Sequence, residues 1–212
     1  MTVPATHVAW EDWPRYEIYR FFRPMANPVF GVTFPVDVTR LYDYTKAKGL
    51  SFYYALVFLC TEAVNSVEAF HYCERAGGLY RLERRIPSFT DLKPGAEQFH
   101  IVTIDPGNDL DAFCRTARRE SMEQSCFIRP EAESDALIYF SCLPWLPLTH
   151  LTNERDEDPA DAIPRISWGK FTEAGARKTL SLSVELNHRY VDGLHLGRFY
   201  ETLCARIEAL TF

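Results

Sequence analysis

Asn187-His188-Arg189-Tyr190-Val191-Asp192-Gly193 carries residue types suited to proton transfer in a compact spacing. A free imidazole titrates near about 6.5, so at neutral pH His188 can take a proton from a hydroxyl or thiol and return it. Asp192 follows four residues later, beside a glycine. Residues 180–186 alternate apolar and polar, as a half-buried strand does. Leu194, Leu196, Phe199, Leu203 and Ile207 recur at helical spacing. The segment is therefore expected in a loop between a strand and a helix, where rigid elements hold catalytic groups in place. A histidine at a strand end is more often a satisfied polar residue than a catalyst, so position alone assigns no role.

The elements around this segment read as a mixed fold. Trp10 to Phe22 is aromatic and opens with a short helix, with Pro14 at a first-turn position. Phe30 to Val38 alternates as a strand, and Pro35 marks an edge or bulge. A helix over Leu41–Lys48 stops at Gly49, and Ser51 caps a second, apolar and buried helix to about Ser66. Ala76-Gly77-Gly78 is a turn, followed by strands over Leu79–Arg84 and Ser88–Leu92. Lys93-Pro94-Gly95 is a loop before a strand over Gln98–Ile104. Leu110–Gln124 is an amphipathic helix and Ala136–Leu143 a strand. Pro144–Ala162 is acidic, polar and irregular, a surface loop. Ile163–Thr172 and Arg177–Leu186 are two strands joined at Glu173-Ala174-Gly175, and a final helix runs from Leu194 to about Leu210. Helices mixed with at least six strands, several of them consecutive, point to one α/β (α+β) domain over residues 1–212, built on a large sheet. No G-x-G-x-x-G follows a strand, so a dinucleotide-binding Rossmann unit is not expected.

Composition limits the function classes. At 212 residues with 47% hydrophobic and 14% aromatic content, the chain has the makings of a substantial core. A net charge of -6 without a basic run gives no footprint for nucleic acid. Residues 1–13 show no signal-peptide pattern, and the longest apolar stretch, Phe52–Cys60, is too short to cross a bilayer. The six cysteines are scattered without C-x-x-C. They read as small buried hydrophobes in a reducing cytoplasm, with no zinc or other metal site expected.

His188-x-x-x-Asp192-Gly193 resembles the active-site motif of chloramphenicol acetyltransferases. Further segments match that family in order and spacing: Trp13-Pro14-Arg15, Val36-Asp37-Val38-Thr39, Ser51-Phe52-Tyr53, Pro87-Ser88-Phe89-Thr90, Leu143-Pro144-Trp145 and Trp168-Gly169-Lys170. The resemblance covers nearly the whole chain. It implies a two-layer fold with a large mixed sheet packed with helices, and a cytoplasmic homotrimer with active sites at subunit interfaces. The implied function is the acetyl-CoA-dependent O-acetylation of a hydroxyl of chloramphenicol or a related apolar alcohol, of the kind that confers antibiotic resistance. By the resemblance His188 is the general base of a direct ternary-complex transfer, and Asp192 pairs with Arg15 to hold the histidine loop. Tyr53, Trp145, Ser167, Lys170 and Phe171 fall on the CoA side, and Phe21, Phe22, Phe99 and Ile101 on the acceptor side. Each of these aromatics also suits ordinary core packing.

Two positions depart from the family. Asn187 stands where a second histidine is frequent. His150, preceded by Thr149, stands where the family carries a serine that stabilises the oxyanion. Loss of such a donor costs about 10²–10³ in turnover. Three arrangements follow: Thr149 supplies the hydroxyl, His150 donates an imidazole N–H, or the site is altered toward a different acceptor, the last being the expectation. A catalytically weak homologue that sequesters an apolar ligand is the alternative function. Transfer to a lipoyl thiol, as in the related dihydrolipoamide acyltransferases, is disfavoured because no lipoyl domain or Ala/Pro-rich linker is present.

Overall fold

The computed structural model describes residues 3–211; Met1, Thr2 and Phe212, which the expected 1–212 extent includes, lie outside the described residues. The elements are β1 (Ala5–Val8), α1 (Tyr16–Phe22), β2 (Val29–Asp37), α2 (Thr39–Lys48), α3 (Phe52–Asn65), β3 (Tyr72–Arg75), β4 (Gly78–Leu82), β5 (Ile86–Asp91), β6 (His100–Thr103), α4 (Leu110–Glu123), β7 (Leu137–Leu143), β8 (Arg165–Gly169), β9 (Thr172–Ala174), β10 (Arg177–Asn187) and α5 (Gly193–Glu208). A seven-stranded mixed sheet runs β2-β10-β8-β7-β5-β6, with β9 also on β10. A small antiparallel sheet runs β1-β4-β3. Among the described residues only the β5–β7 and β7–β8 pairings are parallel.

The pleat gives the large sheet two unlike faces. One transverse row, Val102, Phe89, Phe140, Ile166, Val184 and Val32, is mostly buried and shares a core with α2–α5. The adjacent row on the opposite face, Ser141, Ser167, Ser183 and Thr33, consists of hydroxyls. Helix α3 is the centre of the helical layer: ten of its fourteen residues are buried. Its polar start is capped by Ser51, which accepts the Tyr54 N–H at 3.4 Å, a cap that contributes about 1 kcal/mol. Gly49 ends α2 at φ +64°, a backbone that a side chain would strain.

A second, smaller core of Val3, Cys73, Leu82, Ile86, Ala136 and Leu137 joins the two sheets. Beside it lies Arg85, fully buried. Its guanidinium donates to the carbonyls of Asp135 (3.0 Å), Leu137 (3.1 Å), Tyr72 (3.3 Å) and Phe70. Burial pulls its pKa down to about 10, so it stays charged at neutral pH and ties the 70–72 and 135–137 segments together.

Several expectations are corrected in detail. Pro14 lies in the turn between a 3-10 turn at Trp10–Asp12 and α1, not in the first turn of α1. Strands β1 and β3 gave no clear alternating signal and pair only through β4. The strand expected over Ile163–Thr172 is two strands, because Lys170 N–H turns away from β10 to the carbonyl of Leu146 at 2.7 Å. Pro35 does sit on an edge strand. Cys60, Cys73 and Cys114 are buried, whereas Cys142 and Cys204 are half-buried and Cys126 is exposed. Among the described residues no helix is long and apolar enough to cross a membrane.

Candidate active site

Strand β10 ends at Asn187, and the chain turns through His188, Arg189 and Tyr190 before α5 begins at Gly193. Side chains at both ends of the turn reach the 159–161 segment, and one between them reaches the chain beyond α1. The Asn187 amide donates to the carbonyls of Pro159 (3.0 Å) and Asp161 (2.9 Å) and accepts from Arg189 N–H (2.9 Å). The Arg189 guanidinium, buried, donates to the carbonyls of Arg23 and Met25 beyond α1. The Tyr190 hydroxyl donates to the Ala160 carbonyl at 3.1 Å. These bonds satisfy carbonyls of the 159–161 and 23–25 segments and the Arg189 N–H of the turn itself.

Asp192 is the N-cap of α5. Its carboxylate accepts the Leu194 N–H at 3.1 Å, and its own N–H donates to His195 Nδ1 at 3.1 Å, a reciprocal capping box. The same carboxylate pairs with Arg15, whose second nitrogen donates to the His188 carbonyl at 3.0 Å. Partial burial opposes ionisation of Asp192, but the Arg15 hydrogen bond and charge outweigh it and hold the carboxyl below its ordinary range. A negative group is also favoured at the helix N-terminus.

The imidazole of His188 lies between two rings. Phe22 stacks on it at 4.4 Å and 6° between planes, and Phe30 covers it at 4.4 Å and 34°. Nδ1 is buried without a hydrogen-bond partner, while the residue as a whole is half-exposed. Phe22 is thus a plate for the histidine. Phe21 is largely exposed, set edge-on to Phe22.

The other predicted residues make separate contacts of their own. Ile101 pairs with Thr90, whose carbonyl accepts the Tyr53 hydroxyl at 2.6 Å. The Tyr53 ring packs on Phe89 and Trp168, and burial raises its pKa well above the ordinary value. Phe171 packs on Phe52 and Tyr42. Lys170 is exposed, and its backbone bond to Leu146 brings it beside Trp145, which is 68% exposed. Gly169 has to be glycine here: a Cβ would lie 2.6 Å from Leu148 Cγ and collide with the Leu146 carbonyl. Phe99 is exposed at the β6 edge and meets Phe127 edge-on at 5.4 Å. Ser167 is buried beneath the 144–162 segment and bonds Asn153.

Thr149 and His150 are exposed. His150 lies against Gly31, and its Nδ1 is 2.8 Å from Thr33 Oγ1, which is 2.7 Å from Ser183 Oγ. Ser183 Oγ in turn accepts the Leu151 N–H at 3.2 Å. Ser183 and His188 are five residues apart on an extended run, about 17 Å at the rise of a strand. The histidine turn is held with Arg15, Asp192 and Phe22, whereas Trp145 and His150 belong to the 144–162 segment that Lys170 N–H bonds at Leu146.

Sequence reasoning missed Phe30, Phe127 and His195. His195 occupies the third helical position after an Asp N-cap, where the usual capping-box signal is Glu or Gln, so the pattern went unmatched.

Comparisons with known proteins agree in extent with this architecture. The family model described as chloramphenicol acetyltransferase matches residues 4–204. A chloramphenicol acetyltransferase of Clostridium perfringens is 25% identical over 194 residues, 90% of this chain and 89% of that protein. One of Streptomyces acrimycini is 26% identical over 197 residues, covering 91% and 90%. Among solved structures, a chloramphenicol acetyltransferase superposes with a TM-score of 0.87 at 23% identity, covering 96% of this chain and 100% of that one. The dihydrolipoamide acetyltransferase of Azotobacter vinelandii superposes at 0.69 with 18% identity, covering 91% and 86%.

Proposed function

The chain belongs to the chloramphenicol acetyltransferase family, and from that premise we propose that it transfers the acetyl group of acetyl-CoA to a hydroxyl of chloramphenicol or a related apolar alcohol. The observation that carries this reading is the Arg15–Asp192 pair locking the His188 turn, with Arg15 also on the His188 carbonyl. His188 takes the proton from the acceptor hydroxyl as that oxygen attacks the thioester carbonyl. It returns the proton to the departing CoA sulfur as the tetrahedral intermediate collapses. The stacking of Phe22 and Phe30 limits the ring to one plane, which holds the base within reach of the hydroxyl. No acyl-enzyme is required, so both substrates bind together.

The hydroxyl chain under His150 favours that residue as the oxyanion donor. Thr33 Oγ1 lies 2.8 Å from His150 Nδ1 and 2.7 Å from Ser183 Oγ, and the tautomer that serves an oxyanion is the one in which the Thr33 hydroxyl donates to Nδ1. His150 Nε2 then carries hydrogen and is a donor, as the oxyanion requires. Membership of the family supports a homotrimer with sites between subunits, in which His150 and His188 come from two copies. Exposed Trp145 and Lys170 suit an adenine face and a phosphate of CoA, whereas Tyr53 and Phe171 shape the ground beneath.

The test is CoA release, read with a thiol reagent, from acetyl-CoA and chloramphenicol or a panel of hydroxylated apolar compounds. Release that disappears in His188→Ala is expected. No release with any acceptor, combined with tight binding of an apolar ligand, would replace the enzyme reading with sequestration, the alternative that the His150 replacement motivates.

A further inference from the structure

We propose that His195 is a positioning residue of this acyl transfer: its neutral imidazole holds the Asp192 backbone, and through Arg15 the His188 turn, and its protonation in mild acid releases that hold. The inference rests on the role proposed for His188.

His195 Nδ1 accepts the Asp192 N–H at 3.1 Å, which requires an unprotonated Nδ1 and places the ring hydrogen on Nε2. Asp192 is the junction of the site. Its carboxylate meets Arg15 and the Leu194 N–H, and its carbonyl accepts the Leu196 N–H at 3.1 Å. Arg15 passes the restraint on to the His188 carbonyl. Without the His195 bond the Asp192 N–H, at the bend between turn and helix, loses its partner, and the carboxylate is held from one side less.

Protonation reverses the bond. An Nδ1–H facing the Asp192 N–H is donor against donor. The imidazolium's alternative is Asp192 Oδ1, also 3.1 Å away, the oxygen that accepts from Leu194. The charge therefore competes with the helix cap for the carboxylate that Arg15 needs. The charged groups facing His195 are Asp192 in its own loop, Arg15 ahead of α1 and Arg198 one turn on in α5. Burial, with the two arginines, works against the imidazolium more than Asp192 favours it, so the ring stays neutral to a lower pH than a free histidine. The device operates on the acid side of neutrality.

The test compares the acid limb of kcat/KM in wild type, His195→Gln and His195→Ala. Wild type is expected to lose more than ten-fold per pH unit at the low end, because two imidazoles must be neutral. The Gln amide oxygen accepts the Asp192 N–H without titrating. That variant is expected to keep kcat at pH 7.5 within about two-fold of wild type and to show a limb of at most ten-fold per unit. The Ala variant is expected to lose about ten- to a hundred-fold in kcat, the scale of a small misplacement, with both KM values nearly unchanged. Wild-type kcat and limb in the Ala variant, or no rescue by Gln, would overturn the proposal. Nitrogen-15 NMR of uniformly labelled protein reads the same bond without turnover. An Nε2–H tautomer, and an Asp192 amide resonance titrating together with His195, support the proposal, and an Nδ1–H tautomer refutes it. Absence of His188-dependent CoA release would overturn the proposed function instead and leave the tautomer to decide on His195.

Discussion

Replacing Asp192 separates two contributions that one side chain makes. Asp192→Asn keeps an oxygen for the Leu194 N–H but removes the charge facing Arg15. The two side chains are 30% and 9% exposed. Removing one partner of a fully buried pair costs about 3–5 kcal/mol, and an exposed pair contributes about 0–1 kcal/mol. The Arg15 side is buried and the Asp192 side is not, so Asp192→Asn should cost about 2 kcal/mol. Asp192→Ala also loses the cap, a further cost of about 1 kcal/mol. For a chain of this length, each kcal/mol moves Tm by about 2–4 °C, which gives decreases of about 4–8 °C for Asn and about 6–12 °C for Ala. The assay is thermal melting of both variants, of Arg15→Met, and of the Arg15→Met/Asp192→Asn double variant. Because Arg15 and Asp192 touch, the double variant should cost about 1–2 kcal/mol less than the sum of the singles. In parallel, kcat should fall in all of them, since the His188 carbonyl loses its anchor. Asp192→Asn melting within about 1 °C of wild type, or strict additivity in the cycle, would refute the ion pair as the lock of the histidine turn.

Gly169→Ala pushes a methyl group into the Leu146 carbonyl and Leu148; a stability loss of about 1–3 kcal/mol by overpacking is expected, with a raised KM for acetyl-CoA because the segment bearing Trp145 and His150 moves, and unchanged Tm and KM would count against that packing. Asp37 is held below its ordinary carboxyl pKa by its Thr39 hydrogen bonds; in Asp111 and Asp135 burial opposes the same shift, which Tyr44 with Lys48, and Arg75, still enforce. Folded-state values below the unfolded ones stabilise the protein above about pH 4. That stability should fall as pH drops through the ordinary carboxyl value and on down to the folded ones, and a urea midpoint that stays flat between roughly pH 6 and 3 would contradict it.

Much of the site was legible because its signals are local. The alternation in β10, the helical spacing of α5 and the family motif between them located His188 and Asp192. Helix α3 announced itself by a Ser cap and a run apolar on all sides, and Gly49 by its position after Lys46 and Lys48. Strands β1 and β3 did not, because four-residue segments carry too little pattern for period to identify them. The role of Phe22 was also out of reach. As a residue it suits an acceptor pocket or a core equally, and only the return of β10 beside α1 sets its ring flat on His188.

By itself, then, the sequence determined the longer helices and strands, their apolar faces, and which residue types stand ready at the strand–helix junction, since propensity, periodicity and capping act within a few residues. The tertiary structure alone decided who meets whom. It set Arg15 on both Asp192 and the His188 carbonyl across more than 170 positions, laid the hydroxyls of Thr33 and Ser183 under His150, and gave Asp192 N–H to His195. Those contacts depend on strand register and on the crossing of segments distant in the chain. A shift of one residue in β10 would carry every one of its side chains to the opposite face.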